Sequence, residues 1–411
     1  MTDPTRLAAF DLLSAVLDKR RTLEAALDSL PSIEPRDKAA AHRLAAAVLR
    51  RAGTLDAVME PFLRKAPPDP VRNILRLGAA GLLLLDTPAH AAVATAVGLA
   101  RARGLSPFTG LVNAVLRKVA ATGPAALEGL DAPRLDTPPW LWTSWGRDAR
   151  RIAEAHQHEA PLDLTLAPGA EPPPGGEPLP TGSHRYPPGT RVADLPGFAE
   201  GKFWVQDAAA ALPAGLLRAQ PGERIADLCA APGGKTAQLA MTGATVVAVE
   251  QSAPRLARMR ENLARLALAP EIVQGDATTW HPATPLDAVL LDAPCTATGT
   301  IRRHPEIAHL RRPRDVAALA EQQDRLLAAA AAMLRPHGRL VYAVCSLQPE
   351  EGAERVRTAL HSLNLRQDPI APDEVNLPGA VTQDGCLQTT PARWPDRGGM
   401  DGFFMARFIK K

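Results

Sequence analysis

Residues 224–236 read RIADLCAAPGGKT, and this stretch indicates the fold of the C-terminal half of the chain. Its apolar start predicts a strand, and the small residues with Gly233 and Gly234 predict a tight turn that opens a helix. Such a turn lets a nucleotide-like cofactor approach the backbone closely. A phosphate-binding P-loop is disfavoured, because it would require glycine in place of Cys229 and because Pro232 lacks a backbone N–H donor.

The alternation of strand and helix continues towards the C-terminus and predicts a parallel sheet covered by helices. We therefore expect an α/β Rossmann-like domain over residues 203–411. Glu250 ends the second strand, where a carboxylate can accept the hydroxyls of a ribose, and Asp276 follows the third strand, where it can meet an adenine edge or cap a helix. The later strand segments are VVAVE (246–250), EIVQG (271–275), DAVLLD (287–292) and RLVYAVC (339–345).

Two of the four cysteines follow neighbouring strands. The block DAPCTATGTIRRHPEI at 292–307 places Cys295 after the fourth strand, and YAVCSLQPEE at 342–351 places Cys345 after the fifth. Because the carboxyl ends of parallel strands share one edge of a sheet, we expect both thiols at the same rim. A single cysteine is more often a small core residue, so it is the pair that favours nucleophilic chemistry.

Cytosine methylation is a reaction that needs such a thiol. Cytosine C5 is a poor nucleophile, and addition of a thiolate to C6 makes C5 reactive towards a methyl donor. A base then removes the C5 proton, and the thiol leaves. We expect Asp292, beside Pro294, to hold N3 and N4 of the cytosine, with Lys235 near the same pocket.

The N-terminal third has a different pattern. From Thr5 to about Ala121 apolar residues recur at helical spacing with breaks at prolines, and no alternating run interrupts them. This predicts an all-helical domain over residues 1–125, which holds 17 basic against 11 acidic side chains. Residues 126–202 are rich in proline and glycine, which predicts a linker and a small α/β subdomain.

The bulk composition indicates a multi-domain globular protein. With 411 residues of which 46% are hydrophobic, the chain is too long for one ordinary core, and its net charge of +3 neither requires nor excludes a polyanionic partner. Four cysteines without paired spacing fit neither a disulfide framework nor a zinc cluster, and the N-terminus lacks a signal-peptide pattern. We expect a cytoplasmic protein that binds no metal and no membrane and acts as a monomer.

The blocks DLCAAPGGKT, DAPCTATGTIRRHPEI, YAVCSLQPEE and DGFFMARF resemble the signature blocks of RNA cytosine-C5 methyltransferases, over about residues 200–411. The segments RLAAFDLL, DPVRNILRLGAAGLLLLD and FTGLVNAVLRKV resemble a NusB-like helical RNA-binding domain. This domain order is similar to that of the RsmB (Sun) type, which methylates 16S ribosomal RNA. The resemblance implies S-adenosylmethionine as cofactor, Cys345 as the nucleophile towards C6, and Cys295 as the residue that assists elimination and release.

Further site residues follow from these blocks. Arg302, Arg303 and His304 lie after the first cysteine, and we expect them to contact phosphates around a flipped base, although ordinary surface charges have the same pattern. The resemblance also implies cofactor contacts at the glycine turn and the strand-end acids, and we expect one arginine to join them; the residues are Cys229, Ala230, Ala231, Pro232, Gly233, Gly234, Lys235, Glu250, Arg255, Asp276 and Asp292.

Three other interpretations stay open. The same catalytic blocks fit methylation of a cytosine in transfer RNA or in large-subunit ribosomal RNA. A noncatalytic RNA-binding assembly protein is a second alternative, which the joint presence of Asp292, Cys295 and Cys345 disfavours. The pair Pro294–Cys295 is also an arrangement of DNA cytosine methyltransferases, but the second strand-end cysteine and the helical front domain favour RNA.

Overall fold

The computed structural model describes residues 3–411 and divides into two compact units. The first unit comprises Met1–Glu159 together with Ile301–Arg311, and the second comprises Ala160–Thr300 together with Arg312–Lys411. Residues 1 and 2 of the predicted first domain lie outside the described residues. Within residues 3–411, no helix combines the length and the apolarity needed to cross a membrane.

Sixteen α-helices and twelve strands form the described part of the chain, with short 3₁₀ turns between them. The helices are α1 Pro4–Leu17, α2 Leu23–Asp28, α3 Pro35–Arg50, α4 Ala52–Met59, α5 Asp69–Leu84, α6 Ala89–Ala102, α7 Thr109–Thr122, α8 Ala132–Leu135, α9 Pro139–Trp145, α10 Ala149–Ala155, α11 Leu212–Leu216, α12 Gly234–Ala240, α13 Ala253–Arg265, α14 Ile307–Leu310, α15 Pro313–Met333 and α16 Ala353–Ser362. The strands are β1 Leu162–Leu166, β2 Glu177–Pro178, β3 His184–Tyr186, β4 Phe203–Val205, β5 Arg224–Leu228, β6 Thr245–Glu250, β7 Glu271–Gln274, β8 Leu286–Asp292, β9 Leu334–Val344, β10 Leu365–Gln367, β11 Leu387–Gln388 and β12 Phe404–Lys410.

The first unit is a helical bundle around one apolar core. Helix α1 begins after Asp3, whose carboxylate accepts a hydrogen bond from the Arg6 backbone N–H at 3.3 Å and so caps the first turn. The buried faces of α1, α3, α5, α6 and α7 supply most of the core. Close packing of α5 on α7 depends on Gly78, because a Cβ atom there would lie 2.4 Å from Leu116 Cδ1. The predicted all-helical N-terminal domain is confirmed.

The first unit extends beyond the boundary predicted at residue 125. Residues 126–159, predicted to start a linker, contain α8, α9 and α10, and these helices group with the bundle. They have only four to seven residues each, too short for apolar periodicity to reveal them in a proline-rich sequence. The small α/β subdomain predicted within 126–202 is instead an antiparallel sheet in the second unit, with strand order β2-β3-β1-β4.

The second unit is built on a mixed sheet with the order β10-β12-β9-β8-β5-β6-β7, and β11 pairs with β12. Strands β5 to β9 are parallel, as predicted, whereas β10, β11 and β12 pair antiparallel. Strand β12 corresponds to the terminal DGFFMARF block, which the sequence marked only as a motif. The carboxyl ends of β5, β6, β7, β8 and β9 share one edge of the sheet, and the predicted site residues follow these strands.

Candidate active site

The turn after β5 has the conformation that its small residues predict. Cys229 has φ +60°, and Gly233, the residue before α12, has φ +97°. Both angles lie in the left-handed region of backbone conformation, which favours glycine. A Cβ atom at residue 233 would also lie 3.0 Å from Met259 Cγ, against α13. The turn therefore brings its backbone close to the sheet edge, where a ligand can approach it.

Beside the turn lies a cavity of about 260 Å³. The buried Glu250 carboxylate accepts hydrogen bonds from Ser252 N at 2.9 Å and Ala231 N at 3.4 Å, and its Oε2 lies 3.1 Å from Arg255 Nη1. Arg255 also donates to Ala231 O at 2.5 Å, so that α13 and the turn are linked at the cavity. The lining comprises Cys229, Val249, Glu250, Gln251, Ser252, Arg255, Gly275, Asp276, Ala277, Pro294, Gln322 and Leu326.

The residues around this cavity fit an adenosine cofactor with a positively charged sulfur. Glu250 is a carboxylate at the position from which a ribose diol is usually held. The carboxylate of Asp276 accepts two hydrogen bonds of 2.8 Å from Thr278, one from its backbone N–H and one from its hydroxyl, which lower the pKa of Asp276 and fix its orientation. Burial and the negative charges of Glu250 and Asp292 raise the pKa of Cys229 to about 12, so this thiol lines the site without acting as a nucleophile.

Lys235 and Asp292 form an ion pair, with 2.7 Å between Nζ and Oδ2. In the parallel pairing of β8 with β9, Asp292 lies opposite Ala343, and Ala343 is two residues before Cys345. The ion pair therefore lies at the same strand ends as the cysteines. Burial lowers the pKa of Lys235, but attraction to Asp292 and the hydrogen bond with it raise the pKa above its usual value. The charges of Asp227 and Cys345 act in the same direction. Lys235 is therefore held as an ammonium beside Asp292.

The two strand-end thiols are in contact, with 3.4 Å between Cys295 Sγ and Cys345 Sγ. Cys295 is buried, whereas Cys345 is partly exposed. The hydrogen bond with Cys345, burial, and the charges of Cys345 and Glu351 together raise the pKa of Cys295 well above its usual value. The raised pKa keeps the buried Cys295 thiol protonated.

Residues missed by the sequence analysis complete the site. Phe403 lies with its ring centroid 5.5 Å from Lys235 Nζ, and Glu351 lies buried behind the two cysteines. Both belong to blocks that were recognised as motifs, DGFFMARF and YAVCSLQPEE, but the motifs gave no role to these two side chains. An aromatic residue in the terminal block was the available signal for Phe403.

The proposed RNA contacts lie in the segment Ile301–Arg311, which groups with the helical unit. Arg302 is only 1% exposed, and its carbonyl accepts a hydrogen bond from Arg50 Nη1 at 2.7 Å. A phosphate contact therefore does not fit Arg302, because its guanidinium is enclosed by the protein. Arg303 is half-buried, and the exposed His304 has its Nδ1 atom 3.8 Å from Glu306 Oε1, so these two residues remain candidates for an RNA contact.

Comparison with known families agrees with this arrangement. The family described as 16S rRNA methyltransferase RsmB/F matches residues 214–409, and the NusB family matches residues 3–121. The ribosomal RNA small subunit methyltransferase B of Xanthomonas campestris pv. campestris is 35% identical and covers 99% of this chain and 97% of its own length. The protein of the same name from Vibrio cholerae is 36% identical, with 92% and 95% covered.

The solved crystal structure of PH0851 has the same fold, with a TM-score of 0.77 over 100% of this chain and 99% of its own, at 21% identity. The predicted fold class, a NusB-like bundle followed by a Rossmann-like methyltransferase domain, is thus confirmed. So is S-adenosylmethionine as the cofactor, which the cavity beside Glu250 fits. Because a curated relative is 35% identical over 99% of this chain, the chain belongs to the RsmB/F family of 16S ribosomal RNA methyltransferases.

Proposed function

We propose that this protein methylates C5 of a cytosine in 16S ribosomal RNA, through a covalent bond between Cys345 and cytosine C6. The observation that supports it best is the contact of Cys295 and Cys345, 3.4 Å apart, beside the ion pair of Lys235 and Asp292. The description of the matching family supports 16S ribosomal RNA as the substrate, and the names of the relatives support ribosomal RNA of the small subunit. A reducing cytoplasm, in which small subunits are assembled, is where we expect the enzyme to act.

In this mechanism the Cys345 thiolate adds to C6, so that a sulfur–carbon bond forms and C5 becomes nucleophilic. Asp292, held by Lys235, contacts the polar edge of the base and stabilises the charge that develops there. S-adenosylmethionine, when bound, supplies the methyl group that C5 takes up. Loss of the C5 proton to a base then expels Cys345 as a thiolate, and Cys295 assists this elimination and the release of RNA.

The different environments of the two thiols support this division of roles. A nucleophile at Cys295, as in the DNA methyltransferase arrangement, would have to deprotonate a buried thiol whose pKa is raised well above its usual value. Cys345 has the greater exposure and lies near the Lys235 ammonium. The proposal requires neither a metal ion nor a second subunit.

We also propose that the NusB-like domain binds RNA. Its basic side chains outnumber the acidic ones by 17 to 11 within residues 1–125. Among Arg302, Arg303 and His304, only the latter two are accessible enough to contribute.

The test is methyl transfer by the full-length protein to 16S ribosomal RNA, offered both as free RNA and within an assembling subunit, followed by mapping of 5-methylcytosine. Transfer RNA and large-subunit ribosomal RNA are included as competing substrates. We expect one modified cytosine in 16S RNA, its loss in Cys345→Ala, and its retention in the matched control Cys386→Ala, whose thiol is buried away from the cofactor cavity.

Modification of another RNA would overturn the substrate assignment, and activity of Cys345→Ala would remove this residue as the nucleophile. Absence of transfer to every RNA, with S-adenosylmethionine still bound, would favour an assembly protein instead.

A further inference from the structure

The two cysteines stand on separate loops that follow adjacent strands. We define the first cysteine loop as residues 293–300, after β8, and the second as residues 345–352, after β9. Neither loop is part of a strand, so the distance between the thiols depends on what joins the loops. Thiol contact alone is a weak bond and does not fix two loops.

Glu351 joins them through both oxygens of a fully buried carboxylate. Its Oε1 atom accepts from Thr296 N at 2.8 Å and from Gln323 Nε2 at 3.1 Å. Its Oε2 atom accepts from Thr296 Oγ1 and from Ser346 Oγ, each at 2.5 Å. Thr296 and Ser346 directly follow Cys295 and Cys345, so one carboxylate bonds to the neighbour of each thiol.

Further hydrogen bonds also join the two cysteine loops or hold Glu351 in place. Leu347 N donates to Thr298 Oγ1 at 3.0 Å, and Gly299 N donates to Cys345 O at 3.0 Å. The Glu351 backbone is itself held, because Tyr342 Oη donates to its carbonyl at 2.6 Å. A buried carboxylate is costly unless it is fully hydrogen-bonded, and here four donors satisfy it.

We propose that Glu351 is a positioning residue that holds the two cysteine loops at the separation at which Cys295 and Cys345 act together. Glu351 does not line the cofactor cavity, and it acts through Thr296 and Ser346. This inference rests on the proposed two-cysteine mechanism for its effect on catalysis, but its geometric part does not depend on that mechanism.

The chemistry of the donors predicts which substitutions are tolerated. Thr296 N and the Gln323 amide can only donate, whereas the two hydroxyls can turn to accept. Glu351→Gln therefore keeps an acceptor for the first pair and presents its amide NH₂ to the hydroxyls. Glu351→Asp keeps the charge but is one methylene shorter, so it cannot reach both loops at once. A positioning role predicts that Gln is tolerated better than Asp, and a purely electrostatic role predicts the opposite.

The experiment uses the full-length protein with Glu351→Gln, Glu351→Asp and Glu351→Ala, and the exposed neighbour Glu350→Gln as the matched control. One readout is the rate at which dibromobimane bridges Cys295 and Cys345, mapped by peptide mass spectrometry, since it needs no RNA and no turnover. The others are S-adenosylmethionine binding and the kcat and KM of methyl transfer to 16S RNA. Retained cofactor binding shows that a variant is folded.

We expect slower bridging in the Asp and Ala variants, a loss of kcat of about 100-fold with KM nearly unchanged, and a milder loss in Gln. Wild-type bridging and kcat in the Asp variant would overturn the proposal, as would failure of the wild-type thiols to be bridged. If bridging is slow in the Asp and Ala variants and less affected in Gln, but the wild type forms no 5-methylcytosine, the proposed function fails while the positioning role of Glu351 stands.

Discussion

Asp227, one residue before the end of β5, should make the stability of the sheet domain depend on pH. Its side chain is fully buried, and Thr236 Oγ1 donates to Oδ2 at 2.6 Å. Burial raises the pKa of Asp227 from 3.8 to about 7, although the hydrogen bond from Thr236 and the charge of Lys235 oppose the rise. We predict that Asp227→Asn, which keeps an acceptor for Thr236, removes this dependence.

The direction in which stability changes with pH follows from the number of protons that the folded and unfolded chains bind. The folded protein holds this proton up to about pH 7, whereas the unfolded chain releases it near pH 4. The folded state therefore binds more protons in this window, and the free energy of unfolding falls as pH rises from about 4 to about 7. A difference of about three pKa units corresponds to about 4 kcal/mol, so the advantage of Asn over Asp should grow by that order between pH 4 and pH 8.

The assay is urea unfolding at a series of pH values, followed by hydrogen exchange in peptides that cover β5, so that the sheet domain is read separately. The exposed Asp384→Asn is the matched control. Parallel stability curves for wild type and Asp227→Asn across this range would contradict this prediction, because they would mean that Asp227 titrates alike in the folded and unfolded chains.

Three further predictions concern packing and the thiols. Gly299→Ala should abolish methyl transfer and destabilise the sheet domain, because its Cβ atom would lie 1.9 Å from a backbone carbonyl oxygen; melting curves and turnover measure both. Arg185→Met should destabilise the sheet domain by about 3–5 kcal/mol in urea titrations, since it leaves the buried carboxylate of Asp163 without its two 2.7 Å hydrogen bonds. Mild oxidation with diamide should join Cys295 to Cys345 and stop turnover, and dithiothreitol should restore it.

The two packing predictions have matched comparisons. Gly98→Ala has open space around its Cβ position and should leave turnover unchanged. Arg191→Met removes an exposed ion pair and should cost less than about 1 kcal/mol. Equal effects at the matched positions would contradict the packing predictions, and diamide inactivation through Cys386 rather than through Cys295 and Cys345 would contradict the thiol prediction.

The sequence predicted the sheet domain well because parallel strands are continuous apolar runs, and the turn after β5 has a distinctive set of small residues. Because Cys295 and Cys345 each follow a parallel strand, the sequence also predicted that both lie at one edge of the sheet. It did not predict the short helices α8, α9 and α10, which are below the length at which periodicity is informative. Strand β12 pairs antiparallel with β9, a partner that no local pattern identifies.

At the site, the sequence showed which residue types are present but not which side chains contact each other. The bond between Lys235 and Asp292 joins residues 57 positions apart. Of the two adjacent acids Glu350 and Glu351, the turn at the end of the second cysteine loop decides which is buried. The burial of Arg302 could not be predicted from its own segment, because the residue that donates a hydrogen bond to its carbonyl, Arg50 in α3, lies 252 positions away in the chain.

The proposed mechanism requires that Cys345 attacks the base and that Cys295 helps to release it. It is tested most directly by incubating Cys295→Ala with 16S ribosomal RNA and S-adenosylmethionine and analysing the mixture on a denaturing gel. We predict a stable covalent protein–RNA complex whose linked residue is Cys345, because attack still occurs and release fails. No complex from a protein that still binds S-adenosylmethionine and RNA, or a complex linked through a residue other than Cys345, would contradict it.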